Sequence, residues 1–318
     1  MTGGWAAAAA PTSIGLPART PARPGPGPTP EALLRALDLT VGRRIRGLLP
    51  GEYRAHDLGG GTELAQVRPY EPGDDIRRMD WNVTARTSVP HVRVHVPERA
   101  LTAWLLLDVS PSMTFGTADR RKADVAEGVA IAIGHLATQR GNRLGIVTFG
   151  ASRDRRLPPA AGRTGLLGLL LASRVEAVEE GVGATSPADA LRLANAAAPR
   201  GGLVVLVTDF RGPRNWRQPL VALAARHHVL AVEIDDPREA ELVDIGELTL
   251  VDAETGREVR VDTSSRRLRD RYAEAAAAER ASVATILRRI GVDHLVLSTD
   301  GDWLRRLAGE LHVRGIRA

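Results

Sequence analysis

From residue 101 onwards, apolar runs of strand length alternate with stretches of helical spacing. The apolar runs lie at residues 101–108, 143–149, 203–208, 228–235 and 294–298. The helical stretches lie at residues 120–140, 164–174, 186–198, 216–226 and 264–290, with a last one from about residue 302. Such alternation predicts an α/β fold with a doubly wound, mainly parallel sheet and helices on both faces. Residues 99–318 are predicted to form this domain, which includes a β-hairpin at 248–261.

The chain before residue 99 has a different composition. Residues 1–29 are rich in Ala, Pro and Gly with few large apolar side chains, so we expect a disordered tail. Residues 30–98 are expected to contain an N-terminal helix, over residues 29–44, and a small β-containing lead-in. Within this lead-in, the alternating apolar residues at 91–96 predict a half-exposed strand.

Composition excludes several kinds of site. The sequence has no cysteine, which rules out disulfides, thiolate zinc sites and cysteine nucleophiles. The net charge is +5, but the basic residues are almost all arginines with acids interspersed, so we expect no specific nucleic-acid binding. No apolar run reaches the roughly 18 residues that cross a bilayer. We therefore expect a cytoplasmic protein without a membrane span.

Oxygen donors follow the first apolar run at every second position. Asp108 ends the run, and Ser110 and Ser112 follow it in the sequence Asp-Val-Ser-Pro-Ser. The carboxyl ends of parallel strands face the crevice in which α/β proteins bind ligands. A carboxylate and two hydroxyls are hard donors, which suit Mg²⁺, Mn²⁺ or Ca²⁺ better than zinc. The sequence therefore predicts a divalent-cation site, with Mg²⁺ as the expected ion.

Two later segments can bring further oxygen donors to the same edge of the sheet. Asp209 directly follows the apolar run at 203–208, and Thr185 lies in a glycine-rich loop that opens a helix. Two acids and three hydroxyls can hold one divalent ion and leave a position for water or an incoming carboxylate. Taken alone, each feature is also typical of an ordinary capped turn. The predicted metal ligands are Asp108, Ser110, Ser112, Thr185 and Asp209.

These five positions together resemble the metal-ion-dependent adhesion site of von Willebrand factor A-type domains. The resemblance covers roughly residues 100–240 and implies a von Willebrand factor A-like doubly wound fold. In that family the two serines and the threonine typically bind the ion directly, while the aspartates bind it directly or through water. The resemblance implies that Ser110, Ser112 and Thr185 bind the ion directly. It implies that Asp108 and Asp209 balance the charge of the ion.

A second resemblance covers more of the chain, from about residue 45 to its end. Residues 68–81, Arg-Pro-Tyr-Glu-Pro-Gly-Asp-Asp-Ile-Arg-Arg-Met-Asp-Trp, are similar to the signature of the bacterial domain-of-unknown-function 58 family. Its members place this segment just before an A-type domain. Many members carry two N-terminal membrane spans, which are not expected here. Members are often paired with MoxR-type AAA+ ATPases, so the resemblance implies such an ATPase as a partner.

The resemblances and the oxygen donors predict a non-enzymatic protein–protein interaction module. A partner protein would complete the coordination of the ion with a carboxylate. The alternative is a metal-dependent phosphatase or hydrolase that uses Asp108 and Asp209. Phosphatases of the haloacid-dehalogenase type need a second acid two residues after the first. That position is Ser110, which cannot transfer protons near neutral pH, so this alternative is disfavoured.

Two further residue patterns bear on function. No phosphate-binding loop is present and the only lysine, Lys122, is predicted to lie in a helix, so we expect no ATP hydrolysis. The acidic stretch at 73–80 is either a partner surface, a second acidic site or a turn. We favour a turn whose aspartates accept backbone hydrogen bonds and pair with Arg77 or Arg78. Trp81 is expected to anchor the lead-in to the main domain by packing.

Overall fold

The computed structural model describes residues 63–96, 102–116, 119–138, 142–150, 156–162, 186–198, 201–251 and 256–314. Several of the sequence-based predictions lie outside the described residues. They are the tail at 1–29, the helix at 29–44, the helix at 164–174 and the loop that contains Thr185.

The lead-in is a two-stranded antiparallel sheet with a helix between its strands. Strand β1 (Glu63–Pro69) pairs with β2 (His91–Val96), and helix α1 (Trp81–Thr87) lies between them in the chain. A 3-10 turn at Ile76–Arg78 precedes α1. The alternation of apolar and polar residues in β2 is typical of a strand with one buried face, and Val92 is buried. The predicted β-containing lead-in is confirmed.

The strands of the main domain follow the predicted alternation. In the described ranges they are β3 (Thr102–Asp108), β4 (Arg143–Phe149), β5 (Arg156–Ala161), β6 (Leu203–Thr208), β7 (His228–Asp235), β8 (Glu247–Val251), β9 (Glu258–Asp262) and β10 (Asp293–Ser298). Strands β8 and β9 form the predicted antiparallel hairpin. The others form one sheet in the order β10-β7-β6-β3-β4-β5. Only β5 in this sheet runs antiparallel to its neighbour, so the prediction of a mainly parallel sheet is confirmed.

The order of the strands determines where the crevice of the fold lies. Counted within the main sheet, the order is 3-2-1-4-5-6, the arrangement of doubly wound α/β folds. The chain winds outwards in opposite directions from the central pair β3 and β6. Ligands of such folds bind outside the carboxyl ends of the strands at this point of reversal. Asp108 ends β3 and Asp209 follows β6, so both acids lie at the crevice.

Helices cover both faces of the sheet. In the described ranges they are α2 (Lys122–Ala137), α3 (Pro187–Ala197), α4 (Arg217–Ala224), α5 (Arg266–Ile290) and α6 (Trp303–Arg314). Side chains of β3 alternate between the faces: Leu105 and Leu107 pack with α2 and α6, whereas Trp104 and Leu106 pack with α3, α4 and α5. None of the helices in the described ranges has the length and apolar character that crossing a bilayer requires.

The sequence pattern did not predict β5. Its sequence contains Pro158 and Pro159, which lack the N–H groups that strand pairing uses. The strand lies at the edge of the sheet, where only one side pairs, and its register against β4 shifts between Leu144 and Ile146. An edge position and a bulge are the two places where a sheet tolerates proline, and β5 combines them.

Candidate functional site

The register of the central strands places Thr208 beside Asp108. Leu107 of β3 lies opposite Val207 of β6, so the next residue on each strand is again a neighbour. The Thr208 hydroxyl donates a hydrogen bond to Asp108 Oδ2 at 2.5 Å. The backbone N–H of Ser110 donates to Asp108 Oδ1 at 2.9 Å. Asp108 is therefore fixed from its own turn and from the neighbouring strand.

Two serine hydroxyls connect the acids that end the central strands. Ser110 precedes a 3-10 turn at Pro111–Thr114, and this turn brings the Oγ atoms of Ser110 and Ser112 to 3.0 Å from each other. The Ser110 hydroxyl also bonds to Asp108, and the Ser112 hydroxyl bonds to Asp209. Four of the predicted site residues thus form one continuous chain of contacts.

Gly150 packs directly against the turn that carries the serines. A Cβ atom at this position would lie 2.7 Å from Cβ of Ser110, closer than real side chains approach. Its backbone also has a φ of 91°, which favours glycine. Gly150 is therefore needed for the close approach of the β4 end to the site.

Asp209 forms an ion pair with Lys122, a residue that sequence reasoning did not assign to the site. Lys122 Nζ donates a hydrogen bond to Asp209 Oδ2 at 2.7 Å and another to Glu239 Oε1 at 2.6 Å. Lys122 is 0% exposed and Glu239 is 2% exposed, so this ion-pair network is shielded from water. Arg211 closes the network, because its N–H donates to Asp209 Oδ1 and its Nη2 lies 3.5 Å from Glu239 Oε2.

A signal for Lys122 was present in the sequence. It is the only lysine in the chain, and the other 42 of the 43 Lys and Arg residues are arginines. It also begins α2, and a positive charge is unfavourable at a helix N-terminus unless nearby acids compensate for it. Glu239, which lies in a 3-10 turn at Pro237–Glu239 after β7, carried no comparable signal.

The surroundings of the two aspartates shift their pKa values in opposite directions. Burial and the negative charge of Asp209 raise the pKa of Asp108 to about 7. Burial also acts to raise the pKa of Asp209, but the ammonium of Lys122 and the N–H of Arg211 outweigh it and hold that pKa below its usual value. When all groups are ionised, three acids, Asp108, Asp209 and Glu239, face two cationic side chains, Lys122 and Arg211. The site therefore keeps an excess negative charge that a bound metal ion would compensate.

The donor set fits a hard divalent cation. Each serine hydroxyl has one proton to donate. The Oγ atoms of Ser110 and Ser112 lie within hydrogen-bond distance of each other, and each also contacts one aspartate, Ser110 contacting Asp108 and Ser112 contacting Asp209. Carboxylate and hydroxyl oxygens are ligands that suit Mg²⁺. In the part of the chain that the structure describes, no three His, Cys, Asp or Glu side chains cluster as metal ligands, so an ion bound at these residues would use hydroxyl as well as carboxylate oxygens.

The sequence matches a protein family described as "Protein of unknown function DUF58" over residues 66–282. The chain belongs to the DUF58 family. Two relatives described as uncharacterized proteins, from Mycobacterium tuberculosis strain H37Rv and Mycobacterium bovis, are each 45% identical over 282 residues. This alignment covers 87% of the present chain and 87% of each relative. The family membership that residues 68–81 predicted is confirmed.

Solved structures with a similar arrangement include von Willebrand factor A-type domains. An aerotolerance-related membrane protein from Bacteroides fragilis shares 12% identity with a TM-score of 0.45, over 69% of this chain and 100% of its own. The protein BatB from Bacteroides thetaiotaomicron shares 13% identity with a TM-score of 0.44, over the same shares of the two chains. A von Willebrand factor type A protein from Catenulispora acidiphila shares 13% sequence identity with a TM-score of 0.37, over 69% of this chain and 42% of its own.

In this DUF58 chain the structure brings together four of the five predicted ligands. Asp108, Ser110, Ser112 and Asp209 lie side by side, and the fifth, Thr185, lies outside the described residues. Sequence reasoning missed Thr208 as well as the ion-pair network. The hydroxyl of Thr208 immediately precedes Asp209 in the sequence, but only the pairing of β3 with β6 shows that it contacts Asp108.

The DUF58 signature segment contains the turn that the sequence favoured, but with different ion pairs. Asp74 accepts a backbone hydrogen bond from Glu71 and a bidentate pair from Arg68, at 2.7 and 2.8 Å, instead of pairing with Arg77 or Arg78. These contacts lower the pKa of Asp74, and the hydrogen bond from the Glu71 N–H has a larger effect than the one from the Arg68 guanidinium.

The expectation that Trp81 anchors the lead-in is wrong. Asp80 caps α1 by accepting hydrogen bonds from two N–H groups of its first turn, and it pairs with Arg93 of β2 at 2.9 Å. Trp81 is the first residue of α1 and is 67% exposed. The cap therefore positions the helix, and the indole ring points away from the packed interior.

Proposed function

We propose that this DUF58 protein is a non-enzymatic protein-interaction module that binds a divalent cation, most simply Mg²⁺. The observation that supports it is the convergence of Asp108, Ser110, Ser112 and Asp209 at the crevice of a doubly wound sheet. A bound ion would supply a strong Lewis acid to which a carboxylate of another protein can bind. Thr185, carried over from the A-type resemblance, would be a further ligand.

The partner in this proposal is a MoxR-type AAA+ ATPase or a protein on which that ATPase acts. The residues of this chain would bind and orient the ion, and the negatively charged site would repel a partner carboxylate until the ion is bound. The contact between the two proteins should therefore depend on both the ion and Asp108.

The first test titrates Mn²⁺ and Mg²⁺ into the purified protein by calorimetry. We expect binding at one site, weakened by at least about tenfold in Asp108→Asn, since loss of one ligand or its support commonly costs that much. Asp270→Asn removes an exposed carboxylate on α5 and serves as the control with the same change in net charge. Equal heats for the wild type and Asp108→Asn, or no heat for the wild type, would rule out the cation site.

The second arm measures capture of a purified MoxR-type ATPase with Mg²⁺ or with EDTA. Capture that requires the ion and is lost in Asp108→Asn supports the proposal. Capture that is equally strong in EDTA contradicts a contact made through the ion.

A metal-dependent hydrolase remains the second candidate because the carboxylates of Asp108 and Asp209 lie together at the crevice, where both could hold a catalytic metal ion. The absence of an acid at position 110 argues against phosphoryl transfer. Phosphatase activity that the wild type shows and Asp108→Asn lacks would favour this candidate over the interaction module.

A further inference from the structure

Lys122 is the strongest feature of the site that the proposed function does not use. Its ammonium is completely buried and divides its hydrogen bonds between Asp209 Oδ2 and Glu239 Oε1, at 2.7 and 2.6 Å. A buried ammonium needs acids around it, because burial without them would be very unfavourable. One of these acids, Asp209, is a predicted metal ligand, and the other, Glu239, is not.

Glu239 is positioned to compete with Asp209 for this ammonium. It lies in the turn after β7, and the hydroxyl of Tyr272 on α5 donates to its backbone oxygen at 3.1 Å. Its second carboxylate oxygen faces Arg211 at 3.5 Å. The turn and the helix thus hold the Glu239 carboxylate against Lys122.

The shared ammonium has a direct electrostatic consequence for a cation at the site. An ammonium that paired with Asp209 alone would neutralise one of the two acids available to the ion. Because Glu239 takes one of the hydrogen bonds of Lys122, more of the negative charge of Asp209 remains unneutralised. The charges of the two side chains act on a bound cation in opposite directions: Lys122 repels it and Glu239 attracts it.

We propose that Lys122 and Glu239 are positioning residues that set the divalent-cation affinity of the site, by fixing how much of the Asp209 charge is available to the ion. This inference rests on the proposed cation site. Lys122 also holds Asp209 in one orientation through Oδ2, while the N–H of Arg211 holds Oδ1. The affinity of the site is therefore a property of the network and not of the ligands alone.

The test compares variants that change the charges of the network in opposite senses. Glu239→Gln removes the second negative charge beside the ammonium and should weaken Mn²⁺ binding by about tenfold, the effect of roughly one unit charge at this range. Lys122→Met together with Glu239→Gln removes both the ammonium and the negative charge of Glu239. The double variant should bind Mn²⁺ more tightly than the wild type and much more tightly than Glu239→Gln. The double variant also avoids leaving two buried acids unpaired, as Lys122→Met alone would.

The control is Glu279→Gln, which breaks an ion pair with Arg214 that shares no residue with the network. We expect it to bind Mn²⁺ as the wild type does. A purely structural role would change thermal stability and would shift the affinities of the single and double variants in the same direction. If the wild type, Glu239→Gln and the double variant all bind Mn²⁺ with the same affinity, this inference is wrong, but the proposed cation site is not contradicted. No Mn²⁺ binding by the wild type would overturn the proposed function, and this inference with it.

Discussion

Thr208 shows how much one hydroxyl can matter at the scale of a single residue. It is buried, and it donates the 2.5 Å hydrogen bond to a carboxylate that burial already destabilises. We expect Thr208→Val, which keeps the shape and removes the donor, to lower the free energy of unfolding by about 1–3 kcal/mol. Urea denaturation measures the change.

Thr208→Ser is the matched control because it keeps the hydroxyl and removes only a methyl group. It should cost clearly less than Thr208→Val. Equal losses in the two variants would mean that packing of the methyl group matters here and that the hydrogen bond to Asp108 does not.

Individual site residues differed in how far the sequence could predict them. Asp108 and Asp209 were visible because each ends a run of buried apolar residues, which the hydrophobic pattern marks. The contacts of Lys122 could not be predicted, because its partners lie 87 and 117 residues further along the chain. Such a contact depends on the order of the strands, which no local pattern contains.

Between elements, the packing of β3 on β4 depends on the absence of a side chain at Gly145. The indole ring of Trp104 lies over this glycine, and a Cβ atom there would be 2.8–2.9 Å from three ring atoms. Trp104 is buried among helices α3 to α5 and cannot move aside. We expect Gly145→Ala to destabilise the protein by about 1–3 kcal/mol, measured as a shift in thermal or urea unfolding.

Gly309 in α6 provides the same substitution without the clash. It lies in a helix with no atom within 4 Å of a built Cβ, so alanine there should be neutral or stabilising by up to about 1 kcal/mol. A loss at Gly309→Ala as large as that at Gly145→Ala would contradict the role assigned to the Trp104 ring.

Whole elements were predictable where one pattern determined them. The parallel strands of the main sheet are continuous apolar runs because both of their faces are buried, and they were predicted nearly to the residue. The edge strand β5 was missed because its prolines are typical of loops. The lead-in was predicted as β-structure, but the exposure of Trp81 depends on how α1 is capped, which its aromatic character does not indicate.

At the scale of the whole molecule, His227 makes global stability depend on pH. Burial and the nearby Arg226 guanidinium lower its pKa from 6.5. The unfolded chain therefore takes up a proton at a higher pH than the folded protein does. Stability from this group is complete above about pH 6.5 and decreases as the pH falls through the range between the unfolded and the folded pKa.

His227→Gln removes this titration and keeps a polar side chain of similar size. Free energies of unfolding measured from pH 7.5 downwards should fall more steeply for the wild type than for the variant, starting at about pH 6.5. The comparison isolates His227 because all other titrating groups are common to both proteins. Parallel curves would show that His227 does not change its proton affinity on folding.

The prolines of β5 also affect how one molecule meets another. In the described part of the main sheet, β5 is the last strand on its side, and Pro158 and Pro159 offer no N–H to a strand from a second copy. A β-bulge at the same place twists the strand further. Unprotected sheet edges recruit other strands and lead to aggregation, and natural proteins often block them with proline and bulges. Strand β5, whose sequence is typical of a loop, thus keeps this side of the sheet from pairing with strands of neighbouring molecules.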